Sequence, residues 1–272
     1  MKTLFLSDLD GTLLQRDATI SPKSCAIINR LVEQGMIFSY ATARSIHTAV
    51  SVTRGLHVRV PVITKNGAFI DDIEGKKTLC ENVFSWQDTQ DIYDHLQKYG
   101  INPLVFSVVD GQERYSYDCE NMSRGVFKFV KDHEGDFRDH PVKGNDTILE
   151  GKVHYFTCIG AVDELQEIYQ RLAGEYNCIF SKDTYSDDQW LEIMPKYATK
   201  AYAMKQLQQL CGCDRVVVFG DGINDVSMFE MADECYAVGN AVSALKEIAT
   251  DVIGENEMDG VAEWLQQRFL LS

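Results

Sequence analysis

Thr3-Leu4-Phe5-Leu6-Ser7-Asp8-Leu9-Asp10-Gly11-Thr12 carries a short apolar run straight into two carboxylates and a glycine. Residues 3–7 have the pattern of a buried strand. Asp8 and Asp10 lie two apart, so in extended backbone they project to the same side. Carboxylates held that close repel one another, and a cation is a direct way to keep both ionised. Gly11 permits the turn out of the strand. Alone, the stretch reads equally well as a solvated strand-to-loop turn, so its meaning depends on what surrounds it.

Downstream, Ser21 and Pro22 open a helix over residues 22–34, with Ser21 as cap, Pro22 at the first position and Gly35 at the end. Residues 36–40 read as a second strand, 45–54 as a helix and 60–63 as a third strand. This alternation predicts an α/β fold, a Rossmann-like parallel sheet flanked by helices. Residues 68–72 and 77–80 read as a hairpin around Glu74-Gly75. The alternation returns at the far end of the chain. Residues 199–210 are helical, 215–219 form a strongly apolar strand, and a helix covers 258–269. The second acid cluster, Gly220-Asp221-Gly222-Ile223-Asn224-Asp225, follows that strand. Two parallel strands would bring Asp8 and Asp221 to one edge, where hard oxygen ligands suit Mg²⁺. Asn224 and Asp225, taken singly, also fit helix caps.

The middle of the chain has a different rhythm. Helical patterns cover 86–99, 121–132 and 162–173, and strand patterns cover 104–109, 113–117, 153–159, 177–181 and 190–194. Asp110-Gly111 is a hairpin signal. The expected organisation is a catalytic core of residues 1–83 and 192–272 with an inserted α+β cap domain, residues 84–191. A cleft is expected over the carboxyl ends of the core strands. Tyr115, Tyr117, Asp118, Asp183, Tyr185 and Trp190 are candidates to face it, but strand aromatics usually pack, and none is assigned to substrate.

The chain has 272 residues, 45% apolar and 25% charged, with a net charge of −15. That composition is globular. The charge argues against nucleic acid and anionic membranes as partners, and it requires any phosphate site to be locally basic or metal-bearing. No run approaches the roughly 18 apolar residues of a membrane span. Met1-Lys2 leads directly into the first strand, with no leader pattern. Cysteines within apolar runs, such as Cys158, read as buried thiols of a reduced, cytoplasmic protein. Cys211-Gly212-Cys213 lacks a second ligand pair, which argues against zinc.

With these motifs in order, the sequence resembles the haloacid dehalogenase superfamily, and within it the Cof-type, class IIB capped phosphatases. Asp8 to Thr12 matches the first motif and Thr42 in Ala41-Thr42-Ala43-Arg44 the second. Lys200 in Pro195-Lys196-Tyr197-Ala198-Thr199-Lys200 matches the third, and Gly220 to Asp225 the fourth. Asn66-Gly67-Ala68 and Val238-Gly239-Asn240-Ala241 match weaker patterns of the group. Ala43 and Ala201 stand where the family usually, or often, has Gly. Either would carry strain if its position required φ > 0.

The resemblance implies a Mg²⁺-dependent phosphatase acting on a small phosphorylated metabolite, such as a sugar or polyol phosphate. Asp8 would be the nucleophile and Asp10 the general acid and base. Mg²⁺ would be held by Asp8, the Asp10 backbone carbonyl and Asp221, with Asp225 supporting the metal's waters. Leu9, Thr42, Ala43, Lys200 and Asn224 form the implied phosphate-binding set. Read without the resemblance, Thr42 could be a helix cap, Lys200 a solvated helix residue beside Lys196 and Lys205, and Arg44 a surface charge. Asn66-Gly67 could be a plain turn. A phosphomutase of the same superfamily would use the same Asp8 and return the phosphoryl group to a second hydroxyl.

Overall fold

The computed structural model describes residues 1–144, 147–182 and 188–270; Asp183 and Tyr185 lie outside them. The chain divides into two compact units, Met1–Glu81 with Tyr197–Ser272, and Asn82–Lys196.

The first unit is built on a five-stranded parallel sheet. Its strands run in the order Asp251–Val252, Glu234–Ala237, Arg215–Gly220, Thr3–Ser7 and Ile37–Tyr40. The two apolar strands that end in acids are neighbours in register, with Ser7 opposite Phe219. Leu4, Leu6, Val216 and Val218 are fully buried. They share one core with Ile28, Leu31, Met204, Leu207, Met228 and Leu265 from the helices. The helix Pro22–Glu33 starts as the sequence predicts: Ser21 accepts from the Ser24 amide and Pro22 occupies the first turn. Gly35, at φ +101°, ends it.

One strand behaves differently from the expected βαβαβ rhythm. Val62–Thr64 meets the parallel sheet only at a single Ala41–Ile63 bridge. It pairs instead with Phe69–Asp72, which pairs with Lys77–Glu81, in a three-stranded antiparallel sheet. The cause is local. Lys65, Asn66 and Gly67 all take positive φ, and they turn the chain back on itself.

The second unit holds a six-stranded sheet ordered Asn177–Lys182, Gln189–Met194, Lys152–Gly160, Leu104–Val109, Gln112–Asp118 and Asp139–Val142. All pairs are antiparallel except the last. Asp110 and Gly111, both at positive φ, make the predicted hairpin. One face of the sheet buries Val105, Phe156, Leu191 and Ile193 with Ile92, Leu96, Leu165 and Ile168 of two helices. The other buries Leu104, Tyr115, Tyr117 and Ile159 with Val126, and Phe129 and Trp190 pack beside them. The edge strand Asp139–Val142 has no apolar alternation, contains Pro141 and was not legible in the sequence.

Glu192 alternates with the buried Leu191 and Ile193 and contacts the Tyr155 hydroxyl. Burial pushes its carboxyl up from 4.5 to about 7. A raised acid favours the folded state while it keeps its proton. That contribution is complete below pH 4.5 and is lost as pH rises to about 7. Its ceiling is about 3 kcal/mol, and the Tyr155 hydroxyl, which can donate to the carboxylate, offsets part of it. Denaturant midpoints should therefore fall between pH 5 and pH 8, and Glu192→Gln should flatten that dependence. An unchanged slope in the variant would remove Glu192 as its source.

Candidate active site

The site forms at the carboxyl ends of the two central parallel strands. The strand Thr3–Ser7 stops just before Asp8, whose amide donates to the Phe219 carbonyl at 2.9 Å. The backbone does not continue extended to Asp10. Residues Leu9–Leu13 coil into a turn kinked at Asp10 and at Gly11, which has φ +78°. The two carboxylates consequently separate: Asp8 is buried and Asp10 is exposed. A Cβ on Gly11 would lie 2.3 Å from Asp221 Oδ2, so the glycine serves both the turn and the close approach of the second acid cluster.

Asp8, Asp221 and Asp225 come together, with one ligand oxygen from each lying within 4.8 Å of the others. Lys200 is inserted among them. Its Nζ donates to Asp8 Oδ1 at 2.5 Å and to Asp225 Oδ1 at 2.8 Å, and its side chain is 1% exposed. Lys200 occupies the first turn of the helix Lys200–Leu210, which Thr199 caps by accepting from the Tyr202 amide. It is not a solvated helix lysine. Asp225 is fully buried, and its Oδ2 accepts from the amides of Asp221 and Gly222. It therefore braces the loop that presents Asp221. Thr12 donates to Asp221 Oδ1 at 2.9 Å.

Three carboxylates share one ammonium. Burial, opposed by Lys200 and reinforced by Asp225 and Asp221, pushes Asp8 up to about 8. Burial and Asp225 also raise Asp221. For Lys200 burial acts against the charge, but Asp8 and Asp225 outweigh it and hold the ammonium protonated. As pH falls, Asp8 takes a proton well above the usual carboxylate range, while Lys200 keeps its own. An excess of buried carboxylate oxygen is the donor set that a small hard cation accepts, so these residues fit Mg²⁺.

The Asp10 carboxylate instead engages Arg44, with Nε–Oδ2 at 2.8 Å and a second guanidinium nitrogen 2.5 Å from Oδ1. Asp10's place at a cation rests on its backbone carbonyl alone. The pairing gives Arg44 a partner 34 residues away that no local pattern announces. Thr42 is buried at the end of the strand Ile37–Tyr40 and accepts from the Arg44 amide at 3.0 Å. The following helix, Ile46–Val52, is capped by Ser45, so Thr42 is not its cap. Leu9 is fully buried. Neither Ala43 nor Ala201 adopts positive φ, so neither backbone position demands a glycine. Asn224 is exposed beside Asn66, with Nδ2–Oδ1 at 3.4 Å. Asn240 donates to the Gly11 carbonyl and holds the first loop in place.

Residues 5–265 match the family model of the haloacid dehalogenase-like hydrolases. The chain belongs to that family. This hydrolase is 25% identical to the 5-amino-6-(5-phospho-D-ribitylamino)uracil phosphatase YitU of Bacillus subtilis, over 98% of each chain. It is also 25% identical to the phosphatase YwtE of the same organism, named for the same substrate, over 96% of each. Among solved structures it resembles a haloacid dehalogenase-like hydrolase from Bacteroides thetaiotaomicron, with a TM-score of 0.74 and 26% identity over 99% of this chain and 100% of that one. It shares its fold with TM0651 of Thermotoga maritima, with a TM-score of 0.77 and 24% identity over 98% and 97% of the two chains. The hydrolase is an enzyme of the phosphoric monoester hydrolase class. No helix among its described residues is long and apolar enough to cross a membrane.

Proposed function

We propose that this hydrolase is a Mg²⁺-dependent phosphatase that cleaves a small sugar or polyol phosphate through an aspartyl phosphate on Asp8. The observation that carries the reading is the buried Lys200 ammonium held between Asp8 and Asp225, with Asp221 beside them. Asp8 attacks phosphorus, and the P–O bond to the alcohol breaks. Asp10 gives the leaving oxygen a proton, then takes one from the water that releases phosphate from Asp8. Arg44 orients the Asp10 carboxylate for both transfers. Lys200, the Thr42 hydroxyl, Asn224 and the backbone at Leu9 and Ala43 receive the phosphoryl oxygens. Asp8 and Asp221, with the Asp10 carbonyl, would hold the cation, and Asp225 would support it by bracing the loop that presents Asp221. When bound, Mg²⁺ screens the approach of carboxylate to phosphate and stabilises charge in the transition state.

The polyol preference draws support from the relatives named for a phosphoribitylamino substrate. The core motifs address only phosphate and metal, which every ester shares. Discrimination is therefore assigned to the inserted domain, residues 84–191.

Phosphate release from a panel of phosphorylated metabolites tests the reading. Activity should vanish on chelation and return with Mg²⁺. Ca²⁺ should inhibit, because its larger and looser shell misplaces Asp8 for in-line attack. Full turnover after exhaustive metal removal would refute the metal assignment. Isomer formation without phosphate release would identify a mutase.

A further inference from the structure

Lys65, Asn66 and Gly67 take φ of +49°, +55° and +101° in succession. Glycine and asparagine tolerate this region, whereas lysine does so only under constraint. The constraint is visible in the structure. The Lys65 amide donates to the Arg44 carbonyl at 3.0 Å and the Asn66 amide to the Thr42 carbonyl at 2.9 Å. A Cβ on Gly67 would lie 2.2 Å from the Thr199 carbonyl oxygen, directly before Lys200. The turn thus touches the Thr42–Arg44 segment on one side and the start of the Lys200 helix on the other. It presents the Asn66 side chain to Asn224, whose Nδ2 lies 3.4 Å from Asn66 Oδ1. The Lys65 ammonium points elsewhere, over the Phe69 ring at 5.1 Å. The Asn66 Nδ2 has no hydrogen-bond partner among the described residues. A strained turn clamped to three separate parts of one site suggests a functional constraint, because ordinary turns have cheaper solutions.

We propose that the Asn66 carboxamide is a phosphate-binding group that donates through Nδ2 to a phosphoryl oxygen and, through Oδ1, orients Asn224 beside it. This rests on the phosphatase reading for its ligand. The backbone of the turn sets the spacing between Thr42 and Lys200, and the side chain supplies the hydrogen bond.

Asn66→Gly separates the two roles, since glycine keeps the left-handed backbone and removes only the carboxamide. Two quantities would be measured in wild type and variant: the affinity for inorganic phosphate with Mg²⁺ by calorimetry, and kcat and KM on the best ester of the panel. Asn66→Gly should keep the thermal midpoint of the wild type. It should weaken phosphate binding and lower kcat/KM by about 10–100-fold, as expected for a hydrogen bond to a charged group. Asn66→Asp should lose more, because it brings a carboxylate to the phosphate. Wild-type affinity and kcat/KM in Asn66→Gly would overturn the proposal, as would a loss that merely follows a lowered thermal midpoint. A wild type that binds phosphate but hydrolyses no ester would sink the phosphatase reading, while the binding comparison still decides the role of Asn66. No phosphate binding by the wild type would overturn both.

Discussion

Asp8→Asn should abolish turnover, with a loss of at least about 10⁴-fold, the scale seen when a covalent nucleophile is removed. The same substitution should stabilise the metal-free protein. Asp8 is pushed up from 3.8 to about 8 by its burial among other acids. A raised acid stabilises the fold fully below its unfolded value of 3.8, and the contribution disappears as pH rises through about 8. At pH 8 and above, the ionised Asp8 costs the metal-free fold on the order of a few kcal/mol. Asparagine keeps the shape and an acceptor for Lys200 but cannot ionise. Denaturation with chelator present should therefore show the variant more stable than wild type at pH 8 and closer to it at pH 5. A residue retained for packing would give the opposite pattern, with activity falling only as the fold weakens. Equal pH slopes in the two proteins would remove Asp8 as the source of the instability.

Lys200→Met should also impair activity, though less than Asp8→Asn, and unlike that substitution it should cost stability. The ammonium pairs with both Asp8 and Asp225, and both of those side chains are at least nine-tenths buried. Breaking a buried ion pair by removing one partner typically costs about 3–5 kcal/mol. Here protonation of Asp8 relieves part of that cost, so the deficit should shrink as pH falls. Loss of one preorganised charge donor to the transition state is worth about 10²–10³-fold in kcat. Thermal midpoints and kcat measured across pH 5–8 check both effects. A variant with wild-type kcat and lowered stability would leave Lys200 as a purely structural charge.

The fold was legible where apolar periodicity and punctuation agreed. Ser21-Pro22 and Gly35 bound the first helix as read, and Asp110-Gly111 makes its hairpin. The paired strands Thr3–Ser7 and Arg215–Gly220 announced themselves because each is a buried run that ends in an acid cluster. What could not be read were contacts between distant positions and conformations that local residue types do not require. Lys200 sits in a helix with Lys205, near Lys196, and its sequence surroundings resemble those of an exposed lysine. Only the fold shows it buried. Arg44 shows no sign of its bond to Asp10. Asp8 and Asp10 share a face in an extended strand, but the kink at Asp10-Gly11 sends one to Lys200 and the other to Arg44. Asn66-Gly67 signals a turn, yet nothing predicts that Lys65 joins it at positive φ or that Val62–Thr64 pairs with the strand after the turn.

The central claim is a phosphoryl group carried on Asp8. Wild-type enzyme with Mg²⁺ would be mixed with a ³²P-labelled substrate, the best ester of the panel, quenched in acid within milliseconds and digested for mass spectrometry. The account predicts label on the peptide containing Asp8 alone, released by hydroxylamine as an acyl phosphate should be, and absent from Asp8→Asn. Label on any other residue, or turnover by Asp8→Asn at the wild-type rate, would contradict it.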